Sequence, residues 1–174
     1  EITIAIINTY LAFANEDYDA EDEKVDIDVY GITDKTGRGD YIKNADPEDG
    51  SSVGEEEEFT LILEDFAIEN VLDGDAFLVT VADGKVQTIA EPELLSNVTI
   101  SAFRLGSYVT VDGTKYDYAT TTEWECETLE DYTTTSGVTN LKDMTYDVYL
   151  DAYGYAIGVD EVTNPDNYVF ITGV

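Results

Sequence analysis

The chain has 174 residues, with 39 Asp and Glu against 8 Lys and Arg, no histidine and one cysteine, so its formal net charge is −31. A chain this negative repels phosphate backbones and anionic headgroups, which excludes nucleic acid and bare membrane as partners and leaves cations, basic proteins and carbohydrate. Without histidine there is no Ser-His-Asp or Cys-His arrangement and no histidine-bound zinc, while 43% hydrophobic residues supply enough apolar surface for one ordinary domain or two small ones.

In chain order, Ile2-Thr3-Ile4-Ala5-Ile6-Ile7 opens a strand expected to run to Ala14. The run falls short of the ~20 apolar residues of a membrane helix, and it lacks the basic flank of a signal peptide, so no membrane insertion is expected. Being apolar and terminal, it can also pair with a sheet edge of a neighbouring subunit, although its continuation through Asn8 to Ala14 favours a place in its own core. Further strands are expected from Lys24 to Ile32 and from Phe59 to Leu63. Between them lie acid-rich loops, Asn15 to Asp28 and Asp40 to Glu58, and 23 of the 39 acids fall in residues 1–75. A boundary near Asp73-Gly74-Asp75 separates residues 1–75, an N-terminal β subdomain with long acidic loops, from residues 76–174, a hairpin-rich β subdomain.

Three hairpins follow. In Phe77 to Ile89 the Asp83-Gly84 pair suits the two positive-φ positions of a type I′ turn, which sets Val81 opposite Val86 and Leu78 opposite Ile89. Glu91-Pro92-Glu93-Leu94-Leu95 is expected as a short turn of helix, and Asn97 to Arg104 as a strand. In Tyr108 to Tyr118 the Asp112-Gly113 turn sets Val109 opposite Tyr116 and Thr110 opposite Lys115. A second short helical turn is expected at Asn140 to Asp143. The third hairpin, Tyr146 to Val159, turns either at Tyr153-Gly154 or through a type I turn beginning at Asp151 with Gly154 as the bulge, two registers that differ by one residue. A final strand spans Tyr168 to Thr172. Many short strands divided by turn residues, with little helix, predict an all-β fold of antiparallel, hairpin-rich small barrels or a sandwich.

The blocks Asp75 to Gly84, Val109 to Tyr118 and Tyr146 to Val159, with Asn8-Thr9-Tyr10-Leu11-Ala12 ahead of them, resemble the β-rich repeat region of large surface proteins that carry S-layer homology domains in anaerobic gut Firmicutes. The resemblance implies a repeated, secreted extracellular β module at the cell surface or cell wall, with wall attachment supplied by S-layer homology domains that this sequence lacks. It carries no catalytic residues over to this chain. The Glu1 start and the strand at the end fit a processed subunit or a unit of a longer array. The acidic loop from Asp46 to Glu58 and the single Cys126 depart from the pattern.

Candidate chemistry is confined to carboxylates and aromatic rings. Calcium takes six to eight oxygens, and Asp17, Asp19 and Asp22 in one loop with Asp73 and Asp75 in another are its candidate ligands, although neither loop has EF-hand spacing. No other cofactor is expected. A glycosidase pair cannot be singled out among 39 acids, and the one tryptophan, Trp124, sits between glutamates. None of the six serines begins Ser-x-x-Lys or sits in Gly-x-Ser-x-Gly. Glu125 and Glu127 disfavour the thiolate that a nucleophilic Cys126 needs, so an inert thiol is expected. Tyr108, Tyr116, Tyr118, Tyr146, Tyr149 and Tyr155 fall within strands, where cross-strand packing explains them better than sugar stacking. Asn97-Val98-Thr99 is a formal glycosylation sequon, and the Thr120-Thr121-Thr122 and Thr133-Thr134-Thr135 runs are loops able to carry O-glycans.

The expectation is therefore a structural module of an extracellular bacterial surface layer or fibre, not an enzyme. Its partners would be copies of itself or adjacent repeats, with cations screening their mutual repulsion. The alternative is an adhesin or carbohydrate-binding module that takes cell-wall or host glycans from a cell-surface stalk.

Overall fold

The computed structural model describes residues 7–21, 23–31, 56–62, 66, 70–82, 85–122, 129, 141 and 144–162. Over these residues the protein is all-β, with eleven strands in three antiparallel sheets.

The first sheet holds β1 (Thr9–Ala14), β2 (Lys24–Tyr30), β3 (Glu56–Ile62), β4 (Ala76–Ala82) and β5 (Lys85–Ala90) in the order β3-β2-β1-β4-β5. Strand β2 shows why: Val25, Ile27 and Val29 are buried, while Lys24, Asp26, Asp28 and Tyr30 alternate onto the other face. The sheet curls until its edge strands β3 and β5 approach each other. This half-barrel closes over Ala12, Ile27, Leu61, Phe77 and Val79, with Tyr18 and Phe66 packed at its margin. β4 and β5 lie beyond residue 75, yet they share the sheet with β1–β3.

The other two sheets form one ring. β6 (Glu93–Val98), β10 (Tyr146–Leu150) and β11 (Ala156–Glu161) pair in the order β11-β10-β6, and β7 (Ile100–Arg104), β8 (Tyr108–Val111) and β9 (Thr114–Asp117) in the order β7-β8-β9. Asn97, at φ 54°, bends the chain at the end of β6, so that β7 leaves in the second sheet. On the opposite side Tyr118 bridges Ala156 in parallel, and Ala119 N–H donates to Ala156 C=O at 2.9 Å. The ring closes around Ile100, Val109, Leu129, Tyr146, Val148 and Ala156, all fully or nearly fully buried.

Strand expectations hold at Thr9–Ala14, Lys24–Tyr30 and Phe59–Ile62, although β3 begins at Glu56, inside the stretch read as acidic loop, because its pairing with β2 extends to Tyr30 opposite Glu56. The Val109–Tyr116 and Thr110–Lys115 pairs form as read, with Asp112 at φ 49° and Gly113 at φ 82°. Three further details differ. Val81 does face Val86, but Leu78 faces Ala90 and Val79 faces Ile89, because Gln87 is an extra residue that bulges out of β5. Glu93-Leu94-Leu95 is strand, not helix, since pairing with β10 places Leu95 opposite Val148 over the ring core and outweighs helix propensity. Asn97 to Arg104 is not one strand but parts of two, split at Thr99. In the third hairpin Gly154 N–H donates to Asp151 C=O at 3.0 Å with Gly154 at φ 81°, which selects the type I turn and glycine bulge over the two-residue turn. Leu141 has 3-10 conformation and is buried in the ring core. Residues 1–6, the acidic stretch 40–55, Asp83-Gly84, Trp124 and Cys126, Thr133–Thr135, the rest of the turn at 140–143 and Tyr168–Thr172 lie outside the described residues.

Candidate functional site

Of the five aspartates read as calcium ligands, the fold brings Asp17 to the Asp73–Asp75 turn, while Asp22 lies outside the described residues. Their oxygens serve the backbone. Asp17 Oδ1 accepts the Asp73 N–H at 2.9 Å, Asp75 Oδ2 accepts the Leu72 N–H at 2.9 Å, and Asp19 Oδ1 accepts the Glu21 N–H at 2.8 Å. Backbone bonds from Tyr18 N–H to Val71 C=O at 3.0 Å and from Gly74 N–H to Ala14 C=O at 2.8 Å hold the two loops together. Among the described residues no three acidic or cysteine side chains converge as a metal-ion site. The phenol of Tyr18, packed against the half-barrel core, is pushed above its ordinary value of 10.0 by burial first, then by Glu23 and Asp19.

The same use of aspartate recurs in the ring. Asp151 Oδ1 accepts the N–H groups of Tyr153 at 2.8 Å and Tyr155 at 2.9 Å, and Asp147 Oδ1 accepts the Asn97 N–H at 2.8 Å across the kink in β6. An aspartate opening a turn is a legible sign of this capping role.

The feature that sequence reasoning missed is the seam between the two units. The convex face of the half-barrel lies on the outer face of β10–β11, so β11 is buried on both sides: Ala156 and Val159 enter the ring core, and Ile157, 1% exposed, meets Leu11 and Leu78. Ile157 is itself a bulge residue, because Tyr149 pairs with Gly158 and Leu150 with Ala156. A side chain at Gly158 would strike Leu11 Cδ2 at 2.3 Å, and one at Gly31 would strike the carbonyl oxygen of Thr121 at 2.2 Å. Thr121 Oγ1 donates to Thr9 C=O at 2.5 Å, and Thr122 Oγ1 to Ala156 C=O at 2.7 Å. Full burial of a side chain such as Leu11, Leu78 or Ile157 stabilises by about 2 kcal/mol.

Beside the seam a small cleft is left between the units, with Phe13, Tyr30 and Tyr149 along it and Asp160 at one end. Of the tyrosines read as strand residues, Tyr146 is wholly buried and Tyr116 packs on the ring core, as cross-strand packing requires; Tyr118 also packs there but from an isolated bridge after β9, and Tyr155 lies in the turn before β11 and is 47% exposed. Tyr153, at the tip of the same hairpin, is 85% exposed.

No known protein family, curated protein or solved structure matches this chain. No helix among the described residues is long and apolar enough to cross a membrane.

Proposed function

We propose that this chain is a non-enzymatic structural module of an extracellular bacterial surface layer or fibre, packing as repeats or subunits with cations between them. The observation that carries this reading is the seam. Two β units share a buried aliphatic contact, two glycine close approaches and a side-chain hydrogen bond from Thr121 to Thr9, a construction suited to transmitting load. The carboxylates of Asp17, Asp19, Asp75 and Asp151 hold turns in shape and do not converge on a reaction centre. With a charge of −31 per copy, close packing of identical modules requires screening.

The test is sedimentation velocity and negative-stain microscopy of the chain across calcium, magnesium and sodium chloride series. Ordered polymers or particles that grow with divalent cation are expected. A chain that stays monomeric under all these conditions overturns the reading.

One observation favours a second reading as an adhesin or carbohydrate-binding module: Tyr153 and Tyr155 present aromatic surface at the tip of the β10–β11 hairpin. Retention on a glycan array by the monomer, lost in Tyr153→Ala, would select it.

A further inference from the structure

We infer that, given the assembly proposed above, the outer face of β7–β9 is the docking surface for a second copy of this chain, and that it takes the exposed carboxylates of that copy's β1–β2 loop. The strands of this sheet carry Arg104 and Lys115 against a single acid, Asp117, whereas those of each other sheet hold more acid than base. In a chain of charge −31, it is the face that least repels an acidic partner. The ladders set its residues side by side. Phe103, Val109, Tyr116 and Tyr118 turn toward the ring core, so Arg104, Tyr108, Lys115 and Asp117 take the outer face. Arg104 pairs with Tyr108 and Tyr108 with Asp117, while the parallel bridge from Tyr118 to Ala156 puts Tyr155 next in the row. Lys115 Nζ stands 4.6 Å from the centre of the Tyr108 ring and pairs with Asp117. Arg104 is exposed and has no ion-pair partner among the described residues. The half-barrel covers the outer face of β10–β11 and leaves this one open. An arginine left unpaired in so acidic a chain, with tyrosines beside it, has the composition of a protein interface, where both residue types are enriched.

The half-barrel supplies the occupant. In its β1–β2 loop the oxygens of Asp17 and Asp19 accept backbone N–H groups and hold the loop in shape. Glu16 and Glu21 in the same loop are exposed, and their carboxylates accept no hydrogen bond among the described residues. Two uncommitted carboxylates on one copy thus match two cations on another, and assembly presents them to each other at high effective concentration. Face and loop belong to different units of the molecule, so the contact joins unlike surfaces head to tail. Such a contact leaves one free face and one free loop on every pair and adds further copies into a fibre or ring.

Two charge-reversed variants test the contact: Arg104→Glu with Lys115→Glu makes the face acidic, and Glu16→Lys with Glu21→Lys makes the loop basic. All four positions are exposed, and amide NMR spectra check that both variants keep the parent fold. By sedimentation velocity, under the divalent-cation conditions that assemble the parent, each variant alone should need at least about tenfold more protein to associate, because its face and loop now carry like charge. The basic-loop variant is less negative overall than the parent, so screening of net charge alone would instead make its assembly easier. An equimolar mixture should assemble as the parent does, since the acidic face of one variant meets the basic loop of the other while the unaltered face and loop meet as before. Parental assembly by either folded variant alone, or no recovery in the mixture, would overturn this contact and leave the assembly reading standing. A parent chain that never associates overturns both.

Discussion

The half-barrel and the ring solve the same problem differently. Both wrap antiparallel strands around an apolar core, but along β1, β2 and β3 the half-barrel keeps an unbroken ladder, while the ring interrupts its pairing at Tyr149/Leu150, Tyr146/Val148 and Ile100/Ala102. Across its first three strands the curling sheet relies on ordinary twist, and its one register shift lies at the β4–β5 edge pair. Closing a few short strands into a ring demands sharper bends, and bulges supply them by adding a residue to one strand. One of those extra residues, Ile157, then becomes the ring's contribution to the seam. Bulges therefore do two things here: they close the second unit and attach it to the first.

The largest expected effect comes from the ring core. Tyr146 is wholly buried and its hydroxyl reaches the Leu141 carbonyl at 3.4 Å, so Tyr146→Ala should cost about 4 kcal/mol. Chemical denaturation read by tyrosine fluorescence measures that loss. Amide hydrogen exchange then tests the coupling, since the seam predicts that β1 and β4 lose protection together with β10. Exchange confined to the ring would show that the two units unfold separately.

Gly31→Ala strikes the connection itself. The new methyl group would meet the Thr121 carbonyl oxygen at 2.2 Å, and Gly31 sits at φ 79°, so the cost should be about 3 kcal/mol from overpacking and backbone strain together. A melting temperature unchanged from the parent would mean that the 119–122 segment does not hold the two units.

A smaller loss, about 1 kcal/mol, is expected for Asp17→Ala, which removes the acceptor for the Asp73 N–H. Because that role is capping, the loss should be the same with calcium and with a chelator present, as thermal unfolding in the two buffers will show. A calcium-dependent difference would restore these aspartates as cation ligands.

The smallest effect is one of pH. Folding raises the Tyr18 phenol, so the folded chain holds that proton more tightly than the unfolded chain. The corresponding stability is fully present below a pH of about 10, the ordinary value, and is lost as pH rises through the higher folded value. Tyr18→Phe should therefore lose less stability than the parent on going from pH 9 to more alkaline solution, about one unit or more above the ordinary phenol value, in parallel thermal melts. An identical alkaline dependence in both chains would remove the half-barrel loop as its source.

Legibility differed from element to element. The Asp112-Gly113 hairpin was readable to the residue because a two-residue turn with both φ angles positive leaves one register. The Phe77–Ile89 hairpin was readable only as far as Val81 and Val86, since nothing local marks Gln87 as a bulge. Leu94 and Leu95 look helical on propensity, and only β10 makes them strand. For the candidate site, both aspartate stretches were legible as carboxylate clusters, but neither the approach of Asp17 to Asp73 nor the destination of their oxygens was, because whether a carboxylate meets a cation or a backbone N–H depends on how two distant loops dock.

By itself the sequence determined the all-β class, the Asp112-Gly113 turn and the alternation of β2, because side-chain period and turn chemistry are local properties. The tertiary structure alone decided that β4 and β5 join the first sheet, that β11 is buried on both faces, and that Phe13, Tyr30, Tyr149 and Asp160 share one cleft. Those outcomes depend on contacts between residues from 63 positions apart, Phe13 and Ala76, to 146 apart, Leu11 and Ile157, and no local pattern specifies which apolar face will cover which.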